Sequence, residues 1–115
     1  MVTIYHNPRC SKSRETLALL QQHGVEPDVV LYLETPPDRE TVQILLKKLG
    51  MTSARQLMRT REDLYKTLAL GDSEKSESEL IEALVAHPKL IERPVVIKGE
   101  QARLGRPPEA VLDIL

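Results

Sequence analysis

Cys10 is the only cysteine among the 115 residues, and its surroundings favour a reactive thiol. The Asn7-Pro8 turn precedes it, and the polar, basic segment Ser11-Lys12-Ser13-Arg14 follows at the predicted start of a helix. Because the first turn of a helix carries unpaired N–H groups and a partial positive charge, it stabilises a thiolate and lowers the thiol pKa. Most lone cysteines are small buried apolar residues, but this context indicates a nucleophile in an anion-binding loop.

Two side chains near Cys10 bear on its chemistry. His6, at the end of a predicted strand, can add a charge or accept the thiol proton, although a lone histidine is more often an ordinary surface or core residue. Ser13 occupies the position that the second cysteine of a Cys-x-x-Cys pair would hold. Since one thiol has no disulfide partner in its own chain, any reduction must draw electrons from an external thiol such as glutathione or a separate redox protein.

Arginines farther along the chain are candidates for binding an oxyanion. Arg93 precedes Pro94 at the mouth of a predicted strand, and Arg106 follows the hairpin that this strand enters; Arg59 lies in a polar elbow between helices. Guanidinium groups give paired, charge-assisted hydrogen bonds that suit tetrahedral oxyanions. Each arginine taken singly is more often a solvated surface charge, and spacing alone does not bring them together. Arg14, in the first helical turn, is a further candidate.

The composition limits the possible classes of protein. The length suits one domain, and with no Trp or Phe and three Tyr the core must be aliphatic. A formal net charge of -1 gives no overall electrostatic basis for binding nucleic acid or an acidic membrane. One Cys and three scattered His offer no zinc-site spacing, and the N-terminal apolar run is too short for a signal sequence. We expect a cytoplasmic monomer without a metal or bound cofactor.

The first third of the chain predicts a βαβ unit. Residues 2–6 alternate as a short strand, and residues 11–23 have a helical pattern that Gly24 ends. The nearly continuous apolar run at residues 28–33 is typical of a strand covered on both faces.

The remainder predicts a helical block and then a ββα unit. In residues 36–88, Gly50 ends one helix, Ser76 and Glu79 match a capping box, and Glu62 and Lys66 stand at i,i+4. Residues 95–97 and 102–104 predict a hairpin, and Pro107-Pro108 opens a last helix. This order predicts an α/β fold with a four-stranded mixed sheet, in one domain of residues 1–115 with a helical insertion at about 36–88.

Several segments, taken together, resemble the glutaredoxin-dependent arsenate reductase family, and more closely its short bacterial branch. The matching segments are Tyr5-His6-Asn7-Pro8-Arg9-Cys10-Ser11-Lys12-Ser13-Arg14, Tyr32-Leu33-Glu34-Thr35-Pro36-Pro37, Leu57-Met58-Arg59, His87-Pro88, Glu92-Arg93-Pro94-Val95-Val96 and Gly105-Arg106-Pro107. They span essentially the whole chain. No single segment is decisive, but their order and spacing taken together are highly specific to this family. The resemblance implies a thioredoxin-like fold with an inserted helical subdomain.

The resemblance also implies a reaction. In that family the cysteine attacks arsenate, glutathione adds to the adduct, and glutaredoxin resolves the mixed disulfide as arsenite leaves. By position, Cys10 is then the nucleophile, His6 tunes its pKa and Ser13 is a hydrogen-bond partner of the thiolate. The implied oxyanion ligands are Arg59, Arg93 and Arg106, and the peptide before Pro94 is expected to be cis.

Two other functions are compatible with the sequence. One is a monothiol oxidoreductase acting on glutathionylated or other thiol substrates. The other is a non-catalytic thioredoxin-like regulator that binds RNA polymerase. Regulators of that kind typically carry a Cys-x-x-Cys switch, which Ser13 interrupts in this chain.

Overall fold

A computed structural model describes residues 1–115 and contains one mixed four-stranded sheet. The strands are β1 (Val2–Tyr5), β2 (Asp28–Val30), β3 (Val95–Lys98) and β4 (Gln101–Leu104), in the spatial order β2-β1-β3-β4. Strand β2 runs parallel to β1, whereas β3 pairs antiparallel with both β1 and β4. The predicted α/β fold with a mixed sheet is therefore confirmed.

The chain divides into two compact units. The first combines Met1–Thr35 with Arg93–Leu115 and holds the whole sheet, and the second is Pro36–Glu92. Cys10, Arg93 and Arg106 belong to the first unit, and Arg59 belongs to the second.

The core of the first unit is aliphatic, as its composition requires. Helix α1 (Ser11–Gln22) and the 3₁₀ helix Pro108–Ile114 supply apolar side chains to it together with the two central strands. Its buried members are Val2, Ile4, Leu20, Val96, Val111 and Ile114. The end of α1 nearest Cys10 is different, because its buried residues are Ser13 and Thr16. Polar groups on that helical turn need partners inside the protein, and these partners help to shape the surroundings of Cys10.

Two predicted elements of the first unit differ from the structure. Strand β2 covers only Asp28–Val30 and lies at an edge of the sheet, where Val29 and Leu33 remain partly exposed. The prediction of a strand covered on both faces over residues 28–33 was wrong. An apolar run in the sequence does not reveal whether its strand lies at the edge or in the middle of the sheet. The last helix begins where Pro107-Pro108 predicts, but its turns are 3₁₀.

The second unit is helical. It contains α2 (Arg39–Leu49), the 3₁₀ helix Ala54–Leu57, α3 (Asp63–Thr67), α4 (Glu77–Ala86) and the 3₁₀ helix Pro88–Leu90. Gly50 ends α2 in the left-handed region with φ 71°, and Ser76 and Glu79 form the predicted capping box. Side chains at i, i+3 and i+4 of α2 are buried, namely Val42, Leu45 and Leu46. None of the helices has the length and apolarity needed to cross a bilayer.

Candidate active site

Cys10 is the N-cap residue of α1, as the sequence predicts. Its backbone is extended (φ −95°, ψ 123°), and its carbonyl accepts the N–H of Arg14 at 3.0 Å. The loop before it is held by Asn7, whose carbonyl accepts the N–H of Cys10 at 3.0 Å and whose side-chain Oδ1 accepts the N–H of Arg9 at 3.0 Å. The half-buried thiol therefore faces the unpaired N–H groups of the first helical turn.

The hairpin of β3 and β4 brings two arginines to this thiol. Nη2 of Arg106 donates to Sγ of Cys10 at 3.9 Å, and Nε of Arg106 donates to the carbonyl of Arg93 at 2.9 Å. Gly105 N–H donates to the carbonyl of Pro94 at 3.0 Å, which continues the β3–β4 ladder past the strand ends. The sequence suggested both arginines, and the sheet pairing explains why they meet.

Two proline peptides flank this cationic side of the site. The bond between Arg93 and Pro94 is cis, as the resemblance implies. The bond between Arg106 and Pro107 is also cis, and sequence reasoning did not foresee it.

The surroundings of Cys10 lower the pKa of its thiol. Partial burial acts in the opposite direction and is the largest single influence, since it disfavours the charged thiolate and raises the pKa. The backbone N–H of Ser13, the charge of Arg93, the backbone N–H of Lys12 and the charge of Arg106 together outweigh it. The thiolate is thus stabilised by the helix N-terminus and by two guanidinium groups.

The hydroxyl of Ser13 contacts His6 rather than the Cys10 thiol. Its Oγ lies 2.6 Å from Nδ1 of His6 and accepts the N–H of Asn7 at 3.0 Å. Both side chains are buried, with Ser13 fully enclosed and His6 6% exposed. Of the groups of Ser13, it is the backbone N–H that lowers the pKa of Cys10. The sequence indicated both residues but not the bond that joins them.

The position of His6 favours the neutral form of its imidazole. Burial lowers the pKa of its imidazole, and the charge of Arg14 lowers it further. Neutral imidazole has one ring nitrogen that accepts a hydrogen bond and one that donates. The hydrogen bond to Ser13 links His6 to the first turn of α1, and the lowered pKa favours the neutral imidazole.

The remaining predicted ligands have structural partners of their own. Arg14 Nη1 donates to the carbonyl of Pro8 at 2.9 Å and so braces the loop before Cys10. In the second unit, Arg59 Nη1 lies 3.3 Å from Oε2 of Glu62 and 3.4 Å from the carbonyl of Lys89. Glu62 forms ion pairs with Arg59 and Lys89. The sequence suggests Lys66, four positions later, as its partner. The assignment of Arg59 as an oxyanion ligand stays a prediction.

A cleft of about 330 Å³ adjoins the loop that leads to Cys10. Its walls include the apolar side chains of Leu31 and Leu33, and its polar residues include Arg9 and Glu34. A lining that combines a cation, a carboxylate and apolar side chains suits a small zwitterionic ligand. No group of three or more His, Cys, Asp or Glu side chains is arranged to hold a metal ion.

Comparison with known proteins places this geometry in a family. The model of the ArsC family matches residues 5–114. This chain belongs to the ArsC family. Among ArsC relatives, the uncharacterized protein YfgD of Escherichia coli K12 is 66% identical over 114 residues, covering 99% of this chain and 96% of the relative. An arsenate reductase of Haemophilus influenzae is 53% identical over 114 residues, covering 99% and 98%.

A solved structure gives the same result for the fold. The arsenate reductase from Vibrio cholerae superposes with a TM-score of 0.97 at 57% sequence identity, covering 99% of this chain and 97% of the other. The predicted thioredoxin-like class, with its inserted helical part, is thereby confirmed for this ArsC chain.

Proposed function

We propose that this chain is an arsenate reductase that uses Cys10 as its single nucleophile and takes electrons from glutathione and glutaredoxin. The observation that carries the proposal is the 3.9 Å contact between the Arg106 guanidinium and Cys10 Sγ at the start of α1. An oxyanion that approaches this thiolate meets a cation with several N–H donors. The names of the relatives from Haemophilus influenzae and Vibrio cholerae support arsenate as the oxyanion.

The first proposed step is attack of the Cys10 thiolate on the arsenic of arsenate. A sulfur–arsenic bond forms and one arsenic–oxygen bond breaks, the oxygen leaving as water after protonation. Arg106 and Arg93 bind the arsenate oxygens and offset the repulsion between two anions. The lowered pKa of Cys10 supports this step because only the thiolate is the nucleophile.

The second step transfers two electrons to arsenic. A glutathione thiolate attacks the sulfur of Cys10, a disulfide forms between them, and the electron pair of the sulfur–arsenic bond passes to arsenic. Arsenic falls from the +5 to the +3 state and leaves as arsenite. A glutaredoxin thiolate then attacks the glutathione sulfur and releases the Cys10 thiolate. The absence of a second cysteine in the sequence supports an external resolving thiol.

Glutathione is a reasonable occupant of the cleft beside the Cys10 loop. It carries two carboxylates and one ammonium group, which match Arg9 and Glu34 in charge. Its thiol must reach Cys10, and Arg9 directly precedes that residue. We assign this cleft to the small thiol as part of the proposed function.

The supporting residues have different proposed roles. Ser13 and His6 fix the loop and the first helical turn, so their effect on the Cys10 pKa is indirect. Arg14 holds the loop carbonyl of Pro8 rather than the anion in the absence of substrate. Arg59 is the third proposed oxyanion ligand, on the strength of the resemblance. We further propose that the protein acts as a cytoplasmic monomer without bound cofactor, metal or nucleic acid.

The test is a coupled assay with purified protein, arsenate, glutathione, glutaredoxin, glutathione reductase and NADPH. We expect NADPH oxidation that depends on arsenate and is lost in Cys10→Ser, with Ser11→Ala as a matched control that retains it. Lack of turnover in the unaltered protein, or equal turnover in Cys10→Ser, contradicts the proposal. Reduction of a glutathionylated peptide without any activity on arsenate indicates the monothiol oxidoreductase instead.

A further inference from the structure

Gly105 lies where the backbone has no room for a side chain. A Cβ atom built at this position collides with Oγ1 of Thr16, lies 2.7 Å from Cγ of Pro94 and lies 3.1 Å from Cγ2 of Thr16. Contacts under about 3 Å force the neighbours to shift. Gly24, Gly50 and Gly99 differ, since each has a positive φ and open space around the missing Cβ. Position 105 therefore requires glycine because a side chain has no space there, and not because the backbone has a positive φ.

The three atoms around Gly105 belong to elements that carry the active site. Thr16 is fully buried on α1, six positions after Cys10, and its Oγ1 donates to the carbonyl of Lys12 at 2.8 Å. Pro94 follows Arg93 and is buried. Gly105 itself precedes Arg106 and is bonded to Pro94 through its N–H. The close approach of Thr16 to the Gly105 backbone therefore joins the helix that carries the Cys10 thiol to the loop that carries Arg106.

We propose that Thr16 and Gly105 are positioning residues that set the separation between Cys10 Sγ and the Arg106 guanidinium. Helix α1 approaches the chain after β4 only as closely as the Thr16 side chain and the Gly105 backbone allow. Arg106 has its Nε fixed on the Arg93 carbonyl, so its Nη2 reaches Sγ at 3.9 Å only when the backbone at 105 is in place. The inference rests on the proposed function where it concerns arsenate, but its geometric part does not.

The direct test is Gly105→Ala, with the pH dependence of Cys10 thiolate absorbance and the arsenate kinetics as readouts. The added methyl group pushes α1 and the Arg106 loop apart, so we expect the Cys10 pKa to rise and kcat/KM for arsenate to fall about tenfold. Thr16→Ala in the Gly105→Ala background removes both close atoms of Thr16 and leaves the 2.7 Å contact with Cγ of Pro94, so it should restore part of both the pKa and kcat/KM. The control is Gly71→Ala, a glycine of the second unit whose added Cβ would lie 3.3 Å from Tyr65.

Two further variants distinguish the effect of steric crowding at Gly105 from the effect of the Thr16 hydroxyl and from loss of folding. Thr16→Val keeps the shape and removes the hydroxyl, and we expect it to leave the Cys10 pKa unchanged. If Gly105→Ala is not recovered folded, Thr16→Ile adds a methyl group from the helix side and should raise the Cys10 pKa in the same way. A folded Gly105→Ala or Thr16→Ile variant with an unaltered thiol pKa overturns the proposal. So does a loss in Gly105→Ala that the added Thr16→Ala substitution does not reduce at all. The thiol titration needs no arsenate, so it remains decisive if the arsenate assay fails.

Discussion

The Oγ of Ser13 lies 2.6 Å from Nδ1 of His6, and both side chains are enclosed beneath the loop that presents Cys10. Ser13 also accepts the N–H of Asn7, so a single hydroxyl connects the end of β1, the Asn7 backbone and the first turn of α1. Ser13, at the position of the second cysteine in a Cys-x-x-Cys pair, therefore has a structural role.

Removal of that hydroxyl should destabilise the fold. In Ser13→Ala the buried Nδ1 of His6 and the partly buried N–H of Asn7 lose their partner, and an unsatisfied buried polar group costs about 1–3 kcal/mol. We expect the free energy of unfolding in urea to fall by about that amount. Ser11→Ala, at an exposed position on the same turn, is the control and should change little. Equal stability of the two variants would show that the hydroxyl has no structural role.

Stability should also depend on pH through His6. Burial and the charge of Arg14 lower its pKa in the folded state below the unperturbed 6.5. The unfolded state therefore binds more protons between the two pKa values, so the free energy of unfolding falls as pH drops below about 6.5 towards the folded pKa. The contribution is fully present above that range. His6→Gln should flatten this part of the stability curve, and a curve of unchanged slope in His6→Gln would assign the dependence to another group.

Reactivity of the thiol should depend on the hairpin arginines. Arg106→Ala and Arg93→Ala each remove a charge that lowers the pKa of Cys10, whereas the N–H groups of Ser13 and Lys12 remain. We expect the thiol pKa to rise in both variants and the rate of iodoacetamide alkylation at pH 7 to fall severalfold. Arg103→Ala, on β4, is the matched control. Unchanged titration in both variants would contradict the electrostatic account.

Arsenate binding should weaken when a charged donor is removed. Loss of a hydrogen bond to a charged group costs about 1.5–3 kcal/mol, so Arg59→Ala should raise the arsenate KM roughly tenfold or more. Arg61→Ala, an exposed arginine of the same polar elbow, should leave it unaltered. Steady-state kinetics with varied arsenate give the comparison. Matching KM values for the two variants would remove Arg59 from the proposed set of ligands.

The cleft beside the loop should affect glutathione and not arsenate. Glu34→Gln keeps the size of the side chain and removes the charge that we pair with the glutathione ammonium. We expect a higher KM for glutathione, an unaltered KM for arsenate and an unaltered Cys10 pKa. Glu15→Gln, an exposed acid on α1, is the control. A change in the arsenate KM alone would place glutathione elsewhere.

Local signals predicted much of the fold. Gly24 and Gly50 end their helices with φ 75° and 71°, and the Ser76 capping box forms as expected, because each of these signals acts within a few residues. The extent of β2 was predicted wrongly, since exposure at a sheet edge depends on distant strands. The helical pattern of α1 does not reveal that packing next to the site buries Ser13 and Thr16 as well as Leu20.

The site was predictable to a similar degree. Cys10 at a helix start follows from its immediate neighbours, and the structure places it there. The approach of Arg106 depends on the pairing of β1, β3 and β4, which spacing alone does not specify. The tight fit at Gly105 carried no signal beyond a glycine after a hairpin. Such contacts depend on tertiary packing, and only the assembled structure reveals them.

The sequence separation within the site has a consequence for how the protein is made. Arg106 lies 96 positions after the thiol it contacts, and Arg93 also follows after most of the chain. During synthesis Cys10 emerges long before either arginine, so the nascent chain carries a thiol with no hairpin cation beside it. The charges of Arg93 and Arg106 can lower the thiol pKa only after β3 has paired with β1. We therefore expect the thiol pKa to fall as the chain folds, and the pH dependence of its alkylation to report hairpin docking.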